Sequence, residues 1–127
     1  MIKETVISII IIVGIVILEI ITQKYTNNSV ERMTNLLIEL KTEMQNQNLD
    51  NVKIKIENLD NEWQKMHDKL AYYVEHDELE KVDSAIVQMN SYVETGDLSF
   101  AIAQLEEGKF VLEHIEDKTA FNLQNIF

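Results

Sequence analysis

Three histidines and the carboxylates near them are the residues of this chain whose types could form a chemical site. His67, His76 and His114 are expected near one end of a helical bundle, the end next to an apolar amino-terminal segment. Imidazole and carboxylate groups together can bind Zn²⁺ or a similar ion. The acidic residues expected at the same end are Asp68, Asp77, Glu78, Glu80, Glu113 and Asp117.

The spacing of these histidines matches no metal-binding motif. Neither His-Glu-x-x-His nor Glu-x-x-His occurs in the sequence. His114 also falls outside the apolar pattern of its helix, which predicts an exposed side chain. We therefore expect no metal and no other cofactor, and interpret the three histidines as surface or capping residues.

Residues for covalent catalysis are also missing from the sequence. It has no Cys, no Gly-x-Ser-x-Gly string and no glycine-rich phosphate loop. Trp63 lies within an apolar stripe, which favours a core position over ligand stacking. We expect no catalytic activity.

The element that must position everything else is an apolar run near the amino terminus, Val6–Ile21, interrupted only by Ser8, Gly14 and Glu19. Residues 5–22 form a helix of about 27 Å, close to the roughly 30 Å of a bilayer core. Residues 1–26 are therefore predicted to be a membrane anchor. The alternative is a cleavable signal peptide, but no small-x-small cleavage site follows the run.

Charge excludes one class of partner and says little about orientation. The net charge of −11 lies entirely beyond residue 26, so nucleic acid is not expected as a partner. Solubility is the simplest explanation of such a charge. Basic residues are balanced on the two sides of the anchor, so the positive-inside rule does not decide its orientation. A short amino-terminal segment usually stays inside, which favours an extracytoplasmic domain.

Residues 27–116 are predicted to be a four-helix bundle. Apolar residues alternate at three and four positions, the spacing of one helix face. Polar breaks separate the helices at Asn27–Ser29, Asn46–Asn48, Glu75–Asp77 and Thr95–Asp97. Asn28, Asp77 and Asp97 are expected to be helix caps, and Gly96 suits a left-handed position. The four stripes are Val30, Met33, Leu37, Leu40 and Met44; Leu49, Val52, Ile56, Leu59, Trp63, Met66, Leu70 and Tyr73; Leu79, Val82, Ile86, Met89 and Val93; and Leu98, Ala101, Leu105, Gly108, Leu112 and Ile115.

Short connections between these helices predict an antiparallel up-down-up-down arrangement. A shift of 49 residues superimposes the first two stripes on the last two, together with one turn on the other, which indicates two equivalent helical hairpins. Ala101 and Gly108 should let a neighbouring helix approach closely. Residues 117–127 are predicted to be an apolar tail. Phe121, Leu123, Ile126 and Phe127 either fold back over Leu70 and Tyr73 or dock into a partner.

Several short strings carry a family resemblance. They are Asn61-Glu62-Trp63, His76-Asp77-Glu78, Leu112-Glu113-His114-Ile115 and the ending Leu123-Gln124-Asn125-Ile126-Phe127. With a single amino-terminal anchor, the chain resembles domain-of-unknown-function family 4363, small membrane-anchored proteins of Gram-positive bacteria. The resemblance implies an envelope location with the domain outside the cytoplasm. It implies no reaction, cofactor or catalytic residue.

Two functions from different classes agree with these observations. The first is a single-pass, membrane-anchored acidic module that binds another envelope protein without catalysis. The alternative is an extracytoplasmic sensor or carrier bundle that binds a ligand or a metal. Metal binding by the domain would distinguish the two functions. Neither the partner nor the oligomeric state follows from the sequence.

Overall fold

Four α-helices account for almost all of the chain. The computed structural model describes the backbone of residues 1–126 and the side chains of residues 1–121. In this part there is no strand, and the helices are α1 (Ile2–Gln45), α2 (Leu49–Leu70), α3 (His76–Glu94) and α4 (Leu98–Ile126). The predicted all-α class is confirmed.

The helices pack in a ring in which α1 contacts α2 and α4, and α3 contacts the same two helices. Ion pairs show in which direction neighbouring helices run relative to each other. Arg32 pairs with Glu62 and Glu39 with Lys55, so residue numbers rise along α1 as they fall along α2. Between α3 and α4 the same reversal is seen, because Glu75 pairs with Lys118 whereas Tyr92 stacks on Phe100.

The predicted apolar stripes form the core. Every predicted position on α1 and α3 is buried, and Trp63 is fully buried on α2. Each such side chain contributes roughly 1.5–3 kcal/mol through burial, which is what holds the helices together. Two predicted positions at the ends of the α2 stripe are more exposed than expected, Leu49 and Tyr73. Two buried apolar residues were not predicted, Ala85 and Val111.

The predicted break between anchor and bundle is absent. α1 runs as one helix of 44 residues through Asn27–Ser29, so Asn28 is not a helix cap. Asn and Ser inside a helix each cost only about 0.7 kcal/mol or less. Packing offsets that cost here, since Thr26 and Ser29 are buried against the rest of the bundle.

The helical part of α4 is also longer than predicted. α4 does not end near Glu116 but continues to Ile126. The region that the tail was expected to cover is occupied by α1, since the Tyr73 hydroxyl lies 2.7 Å from Thr26 Oγ1. The side chains of Leu123, Ile126 and Phe127 lie outside the described residues, so their contacts remain a prediction.

The turns of the two hairpins have matching backbones. Gln47 and Gly96, which correspond under the 49-residue shift, both have positive φ, 57° and 78°. The predicted left-handed Gly96 is confirmed, and the Asp97 carboxylate accepts a hydrogen bond from the Phe100 backbone N–H at 3.4 Å. The prediction for Asp77 is wrong, because α3 already begins at His76.

Small residues bring α3 and α4 together, as predicted. A Cβ added at Gly108 would lie 3.3 Å from the Ala85 Cβ, closer than side chains usually approach. Ala101, about two turns earlier on α4, is fully buried. Of the four neighbouring pairs, α3 and α4 have the most extensive contact, and α2 and α3 the least.

Candidate functional site

The first half of α1 differs from the rest of the molecule in what surrounds it. An 18-residue apolar window of this helix has no buried residue. By length and composition it is a candidate membrane span, the one such helix in the described chain. An apolar surface of this extent needs lipid or protein to cover it.

The three histidines do not converge. His67 Nε2 lies 3.4 Å from an Asp83 oxygen, His76 Nε2 lies 2.9 Å from Glu80, and His114 Nε2 lies 3.8 Å from Glu78. Each histidine therefore faces a different carboxylate. Among the described side chains no group of three or more His, Asp and Glu is arranged to hold a metal ion.

Asp83 joins α3 to α2 through Trp63. The indole Nε1 donates a hydrogen bond to Asp83 Oδ1 at 2.6 Å, while the Trp63 and His67 rings meet edge to face with centroids 5.8 Å apart. The hydrogen bond satisfies the polar edge of a fully buried ring. This hydrogen bond connects α2 and α3, the two neighbouring helices with the least extensive contact.

A groove of about 440 Å³ opens between α2 and α3, farther from the anchor than Trp63. Its floor is apolar, because Ile56 and Ile86 are almost fully buried, whereas Val87 at its edge is 67% exposed. One ammonium and three carboxylates lie around it, so the charge of the groove is negative. Its lining residues are Lys53, Ile56, Glu57, Asp60, Ile86, Val87, Asn90 and Glu94.

Polar contacts join the connection between α2 and α3 to the part of α1 that follows the apolar run. The Tyr73 hydroxyl donates to the Thr22 carbonyl oxygen at 3.3 Å. Burial raises the pKa of the Tyr73 phenol, although its hydrogen bond with Thr26 acts in the other direction. The phenol thus stays protonated at neutral pH and can donate this hydrogen bond.

Two carboxylates near the anchor end of the bundle, Glu75 and Glu116, have opposite electrostatic surroundings. Lys118 Nζ donates to Glu75 Oε1 at 2.7 Å, and this hydrogen bond lowers the pKa of Glu75 and raises that of Lys118. Glu116 has no such partner among the side chains of residues 1–121. Partial burial, followed by the nearby Asp117, Glu113 and Glu31 carboxylates, raises its pKa.

Glu78 is the most buried carboxylate of the described chain, with 8% of the residue exposed. Its Oε1 faces Lys81 Nζ at 3.6 Å and His114 at 3.8 Å, whereas Oε2 is buried without a hydrogen-bond partner. The sequence predicted this residue at the anchor end of the bundle but not its burial, because burial depends on how closely α4 packs.

One protein family matches nearly the whole chain. A family model described as "Domain of unknown function (DUF4363)" matches residues 20–126. The chain belongs to the DUF4363 family. The resemblance inferred from the short sequence strings is thus confirmed at the level of the family.

The range of the DUF4363 match agrees with the continuous α1 helix. The match begins at Ile20, so it includes the turns of α1 that contact Tyr73 and excludes most of the apolar run. Searches of curated proteins and of solved structures found no match to this DUF4363 chain.

Sequence reasoning found the core of this DUF4363 domain but not its groove. Every groove residue other than Ile56 and Ile86 lies outside the predicted stripes, on helix surfaces that looked merely polar. The available signal was indirect. A large Trp63 on α2 and small Ala101 and Gly108 on α4 predict unequal spacing between neighbouring helices.

Proposed function

We propose that this protein is a membrane-anchored, non-catalytic interaction module of the cell envelope. The observation that supports this most directly is the continuity of α1. Its first half is apolar and unburied, and its second half supplies a core stripe of the bundle. A helix without a break would transmit the position of the membrane segment to the bundle and hold the domain at a fixed height.

We infer that the groove between α2 and α3 binds one helix of a partner protein. An apolar floor between two helices suits the apolar ridge of an amphipathic helix. The Glu57, Asp60 and Glu94 carboxylates outnumber the Lys53 ammonium around the groove, so Lys or Arg beside that ridge would be complementary. The partner proposed is therefore an amphipathic helix with basic flanks.

Photo-crosslinking in intact membranes tests this function. A photoreactive residue at Val87, beside the groove, should form an adduct with one membrane protein. The same residue at Ile54 is the matched control, since Ile54 is 59% exposed on α2 but does not line the groove. Mapping of the adduct should locate an apolar segment flanked by Lys or Arg.

An added positive charge gives the second arm of this test. Val87→Lys places an ammonium beside the groove, where it should repel the basic flanks of the partner helix and weaken capture of that protein at least about tenfold, or about 1.4 kcal/mol. Ile54→Lys should leave capture unchanged. Equal adducts from both positions, or equal losses in both Lys variants, would contradict a role for the groove.

We further infer that the bundle lies outside the cytoplasm, the location that the resemblance to small membrane-anchored proteins implies. Protease added to intact protoplasts should then digest the bundle. Complete protection, with digestion only after lysis, would reverse the proposed orientation.

A further inference from the structure

The connection between α2 and α3 lies beside the end of the apolar run. Tyr73 donates a hydrogen bond to the carbonyl oxygen of Thr22, the residue that follows Ile21. Tyr72 precedes it and is 91% exposed. Since α1 is helical throughout, no flexible linker separates this connection from the membrane segment.

The end of α4 lies at the same height along the bundle as the connection between α2 and α3. Lys41 on α1 contacts Glu106 on α4 at 2.8 Å, and nearer the anchor Glu31 and Glu116 line one surface pocket. Residue numbers therefore rise along one helix as they fall along the other. At an equal rise of 1.5 Å per residue, Phe121 is level with Thr26 and the backbone at Ile126 with Ile21.

We propose that this end of the bundle is itself a lipid-binding surface, with Tyr72 and Phe121 seated in the headgroup layer of the bilayer that α1 spans. Aromatic side chains are favoured at that depth because their rings are apolar while the surroundings are partly wet. Phe121 is 59% exposed in the protein alone. The inference rests on the proposed membrane anchoring.

Geometry favours lipid over protein as the occupant of this surface. The position of Tyr72 is fixed beside the end of the span by the Tyr73–Thr22 hydrogen bond, so a protein partner would have to lie within the interfacial layer. Exposed charges here are predominantly acidic, because the carboxylates of Asp68, Glu75, Asp77 and Asp117 outnumber the ammonium groups of Lys24 and Lys69. Zwitterionic phosphatidylcholine should therefore suffice, without anionic lipid.

Site-directed spin labelling of the full-length protein in phosphatidylcholine vesicles tests the proposal. The chain has no Cys, so each introduced Cys carries the only label. Collisions of the nitroxide with oxygen, which concentrates in lipid, and with a water-soluble nickel complex report depth. Labels at Tyr72→Cys and Phe121→Cys should show high oxygen and low nickel accessibility relative to labels in water.

Two control positions on α4 match Phe121 in residue type and exposure. Phe110 is 64% exposed and Phe100 57%, but they lie about 16 Å and about 31 Å farther from the membrane along the helix. Labels at both controls should be accessible to nickel. Circular dichroism should show unchanged helicity in all four variants, because each replaced side chain is largely exposed.

A label at Ile12→Cys separates failure of this inference from failure of the proposed function. Ile12 lies in the middle of the apolar run and should be shielded from nickel by the hydrocarbon core. Nickel access at Ile12 would refute the anchor and both proposals. A shielded Ile12 with labels at 72 and 121 as accessible as that at 110 would overturn only the lipid-binding surface. Low access to both reagents at 72 and 121 would also overturn it, because a second copy would then cover them.

Discussion

The two helical hairpins, α1–α2 and α3–α4, share a pattern of apolar positions but not a packing distance. Val52 and Leu59 on α2 correspond to Ala101 and Gly108 on α4 under the 49-residue shift. The α3–α4 pair has the more extensive contact of the two, and Gly108 faces Ala85 directly. The positions of apolar residues therefore define which face packs, whereas side-chain volume at those positions defines how closely it packs.

Shortening Leu59, the larger residue of the corresponding pair Leu59 and Gly108, should have the greatest effect on stability. Leu59 is fully buried, so Leu59→Ala should lower the free energy of unfolding by about 2–5 kcal/mol through lost burial and the cavity left behind. Denaturant unfolding of the full-length protein in detergent micelles, followed by circular dichroism, measures it. Glu57→Ala, at an exposed position on the same helix, should change stability by about 0.5 kcal/mol or less.

Similar losses at Leu59 and Glu57 would mean that α2 does not use the face described here. The wider spacing of α1 and α2 would then have another cause than the volume of the α2 side chains.

Replacing Gly108 by a larger residue should have the next largest effect on stability. Gly108→Leu forces a side chain into the contact with Ala85 and should destabilise the protein by about 1–3 kcal/mol. Ala103→Leu, at an exposed position on α4, is the control and should be close to neutral. A neutral Gly108→Leu in the same unfolding assay would show that α3 and α4 can separate freely, and that glycine does not determine their distance.

The turns should give the smallest effect, with opposite signs in the two hairpins. Gln47 has φ 57° and carries a Cβ in the left-handed region, so Gln47→Gly should raise stability by up to about 1 kcal/mol. Gly96→Ala should lower it by about 1 kcal/mol, since a Cβ there meets no atom within 4 Å and only backbone strain remains.

Changes of the same sign at the two turns would show that the turns are not equivalent. The melting temperature of each variant in micelles is a sufficient measurement, provided that both are compared with the unchanged protein at one concentration.

Most of the core could be predicted from the sequence because it depends on local periodicity. The stripes on α1 and α3 are buried as predicted, and the left-handed turn at Gly96 follows from the conformational freedom of glycine. Burial of Ala85, Val111 and Glu78 was not predicted. It depends on the close approach of α3 and α4, which the pattern of a single helix does not contain.

For the candidate sites, less could be predicted from the sequence than for the core. The histidines could be recognised as residues with metal-binding chemistry, but each faces its own carboxylate because they lie on three different helices. The groove between α2 and α3 is formed by a difference in helix spacing, and two of its lining residues, Asn90 and Glu94, carry no individual signal.

The sequence by itself determined the apolar run, the core stripes and the short turns, since each depends on residues within a few positions of one another. Only the tertiary structure decided that α1 passes through Asn27–Ser29 without a break and that α4 continues to Ile126. The reason is energetic. Helix propensities near these residues differ by less than about 1 kcal/mol, so contacts with neighbouring helices decide whether a helix continues.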